Sequence, residues 1–380
     1  MILRGATIVG GGPDPVDVVV TGERIERVGA PGGAAVSKGR TVVDVGGAMV
    51  FPGLVNSHDH LEFDLYPPLG HGPYPDFLAW GEDIHRRDAQ TIGRVESVPR
   101  AARVRWGVLK NLLAGVTAVA DHGGTAAARA IWPLRLLPGT SIHSVALDRG
   151  WRRRLWAPWH RPPFVAHVAE GVSAAAARDA DGLVRWNVFG RDLFAVHGIA
   201  MTPAQARRFR AVIWCPLSNE FLYGASADIR ALKQRAAILF GTDSTLSGPW
   251  SFWDHLRRAR AIGALDDASL FAAVTDEASR LWEGRPARRI AAGAVADLVV
   301  ARRGDGASWD AFYACEPGDI RLVLRAGAPV LADDAVGVGV AAGSRITVGG
   351  RPKTVAMDVP ALLAAIRTCG VPPNIELSAP

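Results

Sequence analysis

PGLVNSHDH, Pro52 to His60, closes an apolar run that begins at Val50 and ends in two histidines one residue apart. Side chains on an extended segment alternate with period two, so His58 and His60 face the same side. Six more strand-like runs follow: Val116 to Ala120, Ile142 to Leu147, Phe164 to Val168, Leu193 to Val196, Ala211 to Trp214 and Ile238 to Phe240. Chemically capable residues stand at or just after four of them: His167 and Glu170, His197, Ser218 and Asn219, and Asp243. Ala/Arg/Leu stretches of helical character lie between, notably Val98 to Ala114, Ser173 to Arg185, Pro203 to Arg210, Asp228 to Ala236 and Ser251 to Ala261. Strand alternating with helix is the pattern of a parallel sheet or a (β/α) barrel. In a barrel all these strand ends open onto one face, where residues distant in sequence converge. Three imidazoles and a carboxylate there suit a divalent ion with room left for water.

Working outward, the two chain ends read differently from the middle. Short β-branched runs occupy Ile2 to Val9, Val16 to Val20, Arg24 to Val28 and Thr41 to Val45. They return as Ala296 to Arg303, Ile320 to Gly327, Pro329 to Leu331 and Arg345 to Val348. The expectation is a β-sandwich assembled from residues 1–50 and 285–350, a metal-binding barrel over 51–284, and a C-terminal extension over 351–380.

Composition limits the alternatives. The chain is 49% hydrophobic and 21% charged, with 43 Lys+Arg against 37 Asp+Glu and a formal charge of +6. A chain so apolar is not disordered, and at this length it buries about three quarters of its unfolded surface. The modest charge comes without a recognition motif, which argues against nucleic acid as a partner. Three dispersed cysteines, Cys215, Cys315 and Cys369, make no disulfide framework. The sequence shows neither the layout of a signal peptide nor an apolar run long enough to span a membrane, and it reads as a cytoplasmic protein acting on a small molecule.

The motifs PGLVNSHDH, HVAEG (His167 to Gly171), VHG (Val196 to Gly198), CPLSN (Cys215 to Asn219), GTDS (Gly241 to Ser244) and AAGAVADLVV (Ala291 to Val300) together resemble the amidohydrolase superfamily. The resemblance spans about residues 1–303 and is to the branch of cytosine and guanine deaminases and chlorotriazine hydrolases. It implies an α/β protein: a distorted (β/α)8 TIM-type barrel with a composite β-sandwich. It also implies one divalent transition metal, zinc before iron, held by His58, His60, His167 and Asp243. Glu170 is then the proton shuttle, and His197 orients water or polarises the substrate. The stretch from His60 to His167 is shorter than that branch leads one to expect, so one barrel strand is missing or irregular.

Elementary chemistry supports these roles. A zinc-type cation lowers the pKa of bound water towards about 7. Asp243 can accept a proton, and Glu170 can protonate a substrate nitrogen that would otherwise leave poorly. Superfamily members with two metals bridge them with a carboxylated lysine. The only lysine between His60 and His167 is Lys110, within a helical stretch, where a solvated side chain is expected.

Several other residues are candidates. His122, after the second strand, and Asn219 are placed to contact substrate. Trp151, Trp156 and Trp159 lie in DRGWRRRLWAPWHRPP (Asp148 to Pro163), where Trp could stack on a ring and Arg could pair with an anion. The competing reading of that stretch is a solvated basic loop or a subunit contact in a homo-oligomer. Leu61 to His85, aromatic and punctuated by Pro and Gly, is a natural pocket wall. Cys215 reads as a buried structural thiol, and Ser244 as support for Asp243. The expected activity is addition of water to an amide, amidine or cyclic C=N carbon. The alternatives are cyclodehydration of an amino-amide to a cyclic amidine such as an imidazoline, and a non-catalytic metal-binding protein.

Overall fold

The computed structural model describes residues 1–32, 40–123, 132–157, 162–284, 288–304 and 308–377. Its centre is a parallel barrel. Leu54–Asp59 pairs with Val116–Asp121, which pairs with Arg135–Leu136. Thr140–Ile142, Phe164–Val168, Leu193–His197, Ala211–Trp214 and Ala237–Phe240 follow as parallel neighbours. The ring closes where Asp243 bridges Asp59 and the Thr242 and Asp243 amides donate to the His58 carbonyl at 3.1 Å.

The short stretch before His167 has a structural counterpart. Only Leu137, Pro138 and Gly139 separate Arg135–Leu136 from Thr140–Ile142, whereas a crossover between parallel strands takes a dozen residues or more. The two pieces are therefore one interrupted strand. Its first half pairs with the second strand and its second half with Phe164–Val168, so the described barrel has seven positions. The run expected over Ile142 to Leu147 is displaced, because beyond Ile142 the chain turns away.

The sandwich joins both chain ends. Ala48–Pro52 pairs antiparallel with Leu298–Arg302, and Ile2–Ile8 pairs with both Val42–Asp44 and Ala48–Pro52. Leu3, Val18, Val50, Leu298, Val300 and Leu322 fill its interior. The run from Val50 to Val55 is thus divided at Gly53 between sandwich and barrel. Arg288 pins this joint, its guanidinium donating to Gly53 O at 3.1 Å and pairing with Asp297 at 3.1 Å. The sheet also includes Arg351–Val355, which pairs with both neighbouring strands and so carries the sheet past residue 350. Helix Val359–Thr368 then packs on helix Arg100–Leu113. Asn374 donates to the carbonyls of Asp64 and Tyr66 at 3.0 and 3.1 Å, fastening the loop after the histidine pair.

The helices follow their sequence signals, with Arg100–Leu113, Ala174–Trp186 and Phe252–Ile262 close to expectation. Two are shorter: Pro203–Ala206 and Ile229–Leu232. Each must return at once to the barrel wall, for Arg210 N donates to Leu193 O at 2.8 Å and Ala237 N to Arg210 O at 3.4 Å.

Lys110 departs from the sequence reading. Instead of being solvated it is 3% exposed, with Nζ 3.1 Å from Asp59 Oδ1 and 2.5 Å from Asp64 Oδ1. Asp59 lies between two inward-facing histidines, so alternation sends it outward into the barrel wall, where Asn56 and Asn111 also donate to it at 3.0 and 2.7 Å. Burial disfavours the ammonium, and the two carboxylates more than offset that, raising its pKa. Burial also pushes both aspartates up. We predict that Lys110→Met costs about 3–5 kcal/mol in urea unfolding at pH 7, because it leaves two buried carboxylates without their cation. The aspartates then fold best protonated, so the deficit should grow as pH rises from 5 to 8. A loss below about 1 kcal/mol would show that the triad does not hold this wall together.

Candidate metal centre

His58 and His60 end the first barrel strand, His167 sits on Phe164–Val168, and Asp243 follows Ala237–Phe240. One donor atom from each lies within 4.8 Å of the others, and all four side chains are buried. Asp243 Oδ1 is 3.6 Å from Nε2 of both His58 and His60, and the Nε2 atoms of His58 and His167 are 3.2 Å apart. Asp243 comes this close because Gly241 has no side chain: a Cβ there would lie 2.7 Å from His58 Cβ and 2.9 Å from His58 O. Asp243 and His197 adopt left-handed backbone angles, φ +60° and +71°. Such angles cost a non-glycine residue about 1–3 kcal/mol and concentrate at working sites.

The surroundings aim each donor. His167 Nδ1 donates to His143 O at 2.8 Å, leaving its Nε2 lone pair facing the cluster. Asp243 Oδ2 accepts from Ser218 at 2.7 Å and Ser247 at 2.9 Å, turning Oδ1 towards the histidines. Burial depresses the His58 and His60 pKa values to about 3. Both imidazoles are thus neutral, the form a metal needs. Burial would raise Asp243, but the bond to His58 and the neighbouring imidazoles hold it well below the usual carboxylate range.

A second buried group, Glu170 and His197, adjoins His167. Tyr223 donates to Glu170 Oε1 at 2.6 Å, while Glu170 Oε2 has no partner. His197 Nδ1 donates to Asn219 Oδ1 at 2.7 Å, and its Nε2 lies 3.5 Å from Glu170 Oε1. Asn219 therefore positions His197. The sequence reading missed Tyr223, Ser247 and the role of His143. Tyr223 comes seven residues after Pro216, at the end of helix Pro216–Tyr223, and only the fold of that helix turns it back to Glu170. Ser247, not Ser244, provides the hydroxyl on Asp243 beside that of Ser218. Cys215 is buried and its thiol is pushed up, fitting a structural role.

His122 packs beside the histidines, with ring centroids 5.0 Å from His58 and 4.5 Å from His167. Its Nε2 donates to Ile142 O at 2.6 Å, so it fastens the end of the interrupted strand. The tryptophan stretch lies elsewhere. Trp151 is buried in the core, whereas Trp156 packs at a tilt against Trp186 and donates to its carbonyl at 2.9 Å. Trp159 falls outside the described residues. A cavity of about 510 Å³ is walled instead largely by the stretch from Leu61 to His85, with Phe63, Tyr66, Phe77 and Trp80 prominent. Phe63 stacks on His60 at 5.5 Å, and His143, another wall residue, lies 4.5 Å from His167. The wall helix Phe77–Arg87 docks on the HVAEG loop through Val172 N to Pro75 O at 2.8 Å. This approach requires Gly171, at φ +133°, where any Cβ would collide with Pro75 O.

No protein-family model matches the chain, and no curated protein is detectably similar in sequence. Solved structures are similar in fold. A zinc-bound adenosine deaminase from Xanthomonas campestris superposes with a TM-score of 0.72 at 21% identity, covering 97% of each chain. The zinc-complexed atrazine chlorohydrolase of Arthrobacter aurescens TC1 gives 0.70 at 17% identity, over 98% of this chain and 100% of that one. An N-isopropylammelide isopropylaminohydrolase from Burkholderia multivorans gives 0.62 at 16% identity, over 87% and 97%. The chain therefore shares the fold of these deaminase and chlorohydrolase structures.

Proposed function

We propose that the protein is a metal-dependent enzyme that hydrolyses or deaminates a small molecule at an amide, amidine or cyclic C=N carbon. One divalent transition metal, zinc before iron, would be held by His58, His60, His167 and Asp243. The fit rests on the donor set: three neutral imidazoles and an ionised carboxylate converge in a buried cluster, with the Nε2 atoms of His58 and His167 only 3.2 Å apart. Once bound, such an ion would supply the positive charge that acidifies water and polarises the target carbon. Lys110 is consumed by Asp59 and Asp64 in the wall and offers no bridge for a second ion.

The protein's own groups would handle the protons. Hydrolysis joins the water oxygen to carbon, breaks C–N, and sends the nitrogen away with a proton from that water. Asp243 Oδ1 carries no hydroxyl partner of its own, unlike Oδ2, and can take a proton. Glu170 Oε2, buried and unpartnered while Tyr223 holds Oε1, can pass one to the leaving nitrogen. His197, fixed by Asn219, presents Nε2 without a hydrogen-bond partner and can orient water or substrate. That free Glu170 oxygen beside the metal quartet is the observation that carries the hydrolytic reading.

Elemental analysis of protein purified after zinc-supplemented expression should give close to one transition metal per chain, lost in His167→Ala. Two tightly held ions, or none, would contradict the single-metal assignment. Glu170→Gln should keep its metal while release of ammonia or amine from a panel of amidines and amino-heterocycles falls by roughly two to four orders of magnitude. Metal lost together with activity would make Glu170 a ligand, and unchanged turnover would remove it from the chemistry.

A further inference from the structure

The cavity beside the metal ligands differs in character from the polar cluster it adjoins. Aromatic rings of Phe63, Tyr66, Phe77 and Trp80 supply much of its wall, with Ile84 and Leu246 between them. Its volume of about 510 Å³ lies within the range that buries most of a drug-sized ligand. The rings are fixed: Trp80 Nε1 donates to Leu69 O at 3.0 Å, and Phe63 meets Tyr66 edge-on at 6.0 Å. Among the described residues no Lys or Arg lines it, and its carboxylates are Glu82 and Glu96, both exposed. Cations gather instead beyond His143, where Arg149 and Arg154 border an adjoining open cleft that shares His143 and Leu147 with the cavity.

Building on the proposed C–N chemistry, we infer that the substrate carries an uncharged aryl arm on or next to the reacting carbon, seated between Phe63 and Trp80, and that an anionic group on this arm is rejected. Ring faces and edges reward an aromatic guest beyond its area alone. A carboxylate on that arm would give up its hydration to apolar walls, with no cation to pair it and two like charges at the rim. A small polar amide has no group to fill the cavity, so the arm sets selectivity among substrates of equal reactivity.

Calorimetry on the zinc-loaded full chain separates binding from turnover. The probes are 4-tert-butylbenzamide, 4-carboxybenzamide and acetamide. The tert-butyl compound should bind roughly tenfold or more tighter than either of the others. Leu147→Trp, at a 54% exposed position on the cavity mouth, should weaken it by roughly tenfold and leave acetamide unaffected. Glu82→Lys, also exposed, should improve 4-carboxybenzamide by about threefold. Equal binding of the two benzamides would overturn the inference, as would unchanged affinity in Leu147→Trp. So would 4-carboxybenzamide binding that disappears in Arg149→Ala, which would place the arm in the basic cleft. Preferential binding without any release of ammonia or amine would leave the arm assignment intact and count against the C–N chemistry. Efficient turnover of acetamide with no preference for the aryl compound would do the reverse.

Discussion

The structure depends on one close approach: the last barrel strand running against the first at Gly241 and His58. With no side chain at 241, the amides of Thr242 and Asp243 reach the His58 carbonyl, closing the barrel and bringing a carboxylate within 3.6 Å of two imidazoles. Closure and assembly of the candidate quartet are thus one event, so the His/Asp cluster exists only in the folded barrel. The left-handed backbone at Asp243 is part of the same turn. Its strain is tolerable because Ser218, Ser247 and the ladder to His58 over-determine the position.

A second constraint operates behind the site. Alternation along Asn56–His60 sends histidines inward and Asp59 outward, and the outward carboxylate would be a heavy burden in an apolar wall without Lys110, Asn56 and Asn111. Lys110 also reaches Asp64, on the loop that leads to the cavity wall, and Asn374 holds that loop from the C-terminal side. The aromatic cavity is therefore attached to the same buried charges that support the His/Asp cluster.

Much of the arrangement was legible in the sequence because strand alternation and clustered histidines leave short-range signatures. His58 and His60 differ by one alternation period, and HVAEG, VHG and GTDS each follow an apolar run. The shortened stretch before His167 pointed to an irregular strand, and Arg135–Leu136 with Thr140–Ile142 is one strand interrupted at Pro138 and Gly139. Other features depend on contacts between residues far apart in sequence. Lys110 looks like any helix lysine until Asp59 and Asp64 are folded against it. Tyr223 finds Glu170 only through a helix that turns back across the barrel mouth. The Trp/Arg stretch was a sound compositional signal with an ambiguous target: Trp151 was read towards a substrate, and the apolar core took it.

The central claim is that a single ion occupies the quartet of His58, His60, His167 and Asp243. Anomalous diffraction at the zinc edge from crystals of the zinc-loaded protein tests it most directly. The account predicts one peak about 2.0–2.2 Å from Nε2 of each of the three histidines and from an oxygen of Asp243. A peak between Glu170 and His197, or two peaks sharing His167, would contradict it.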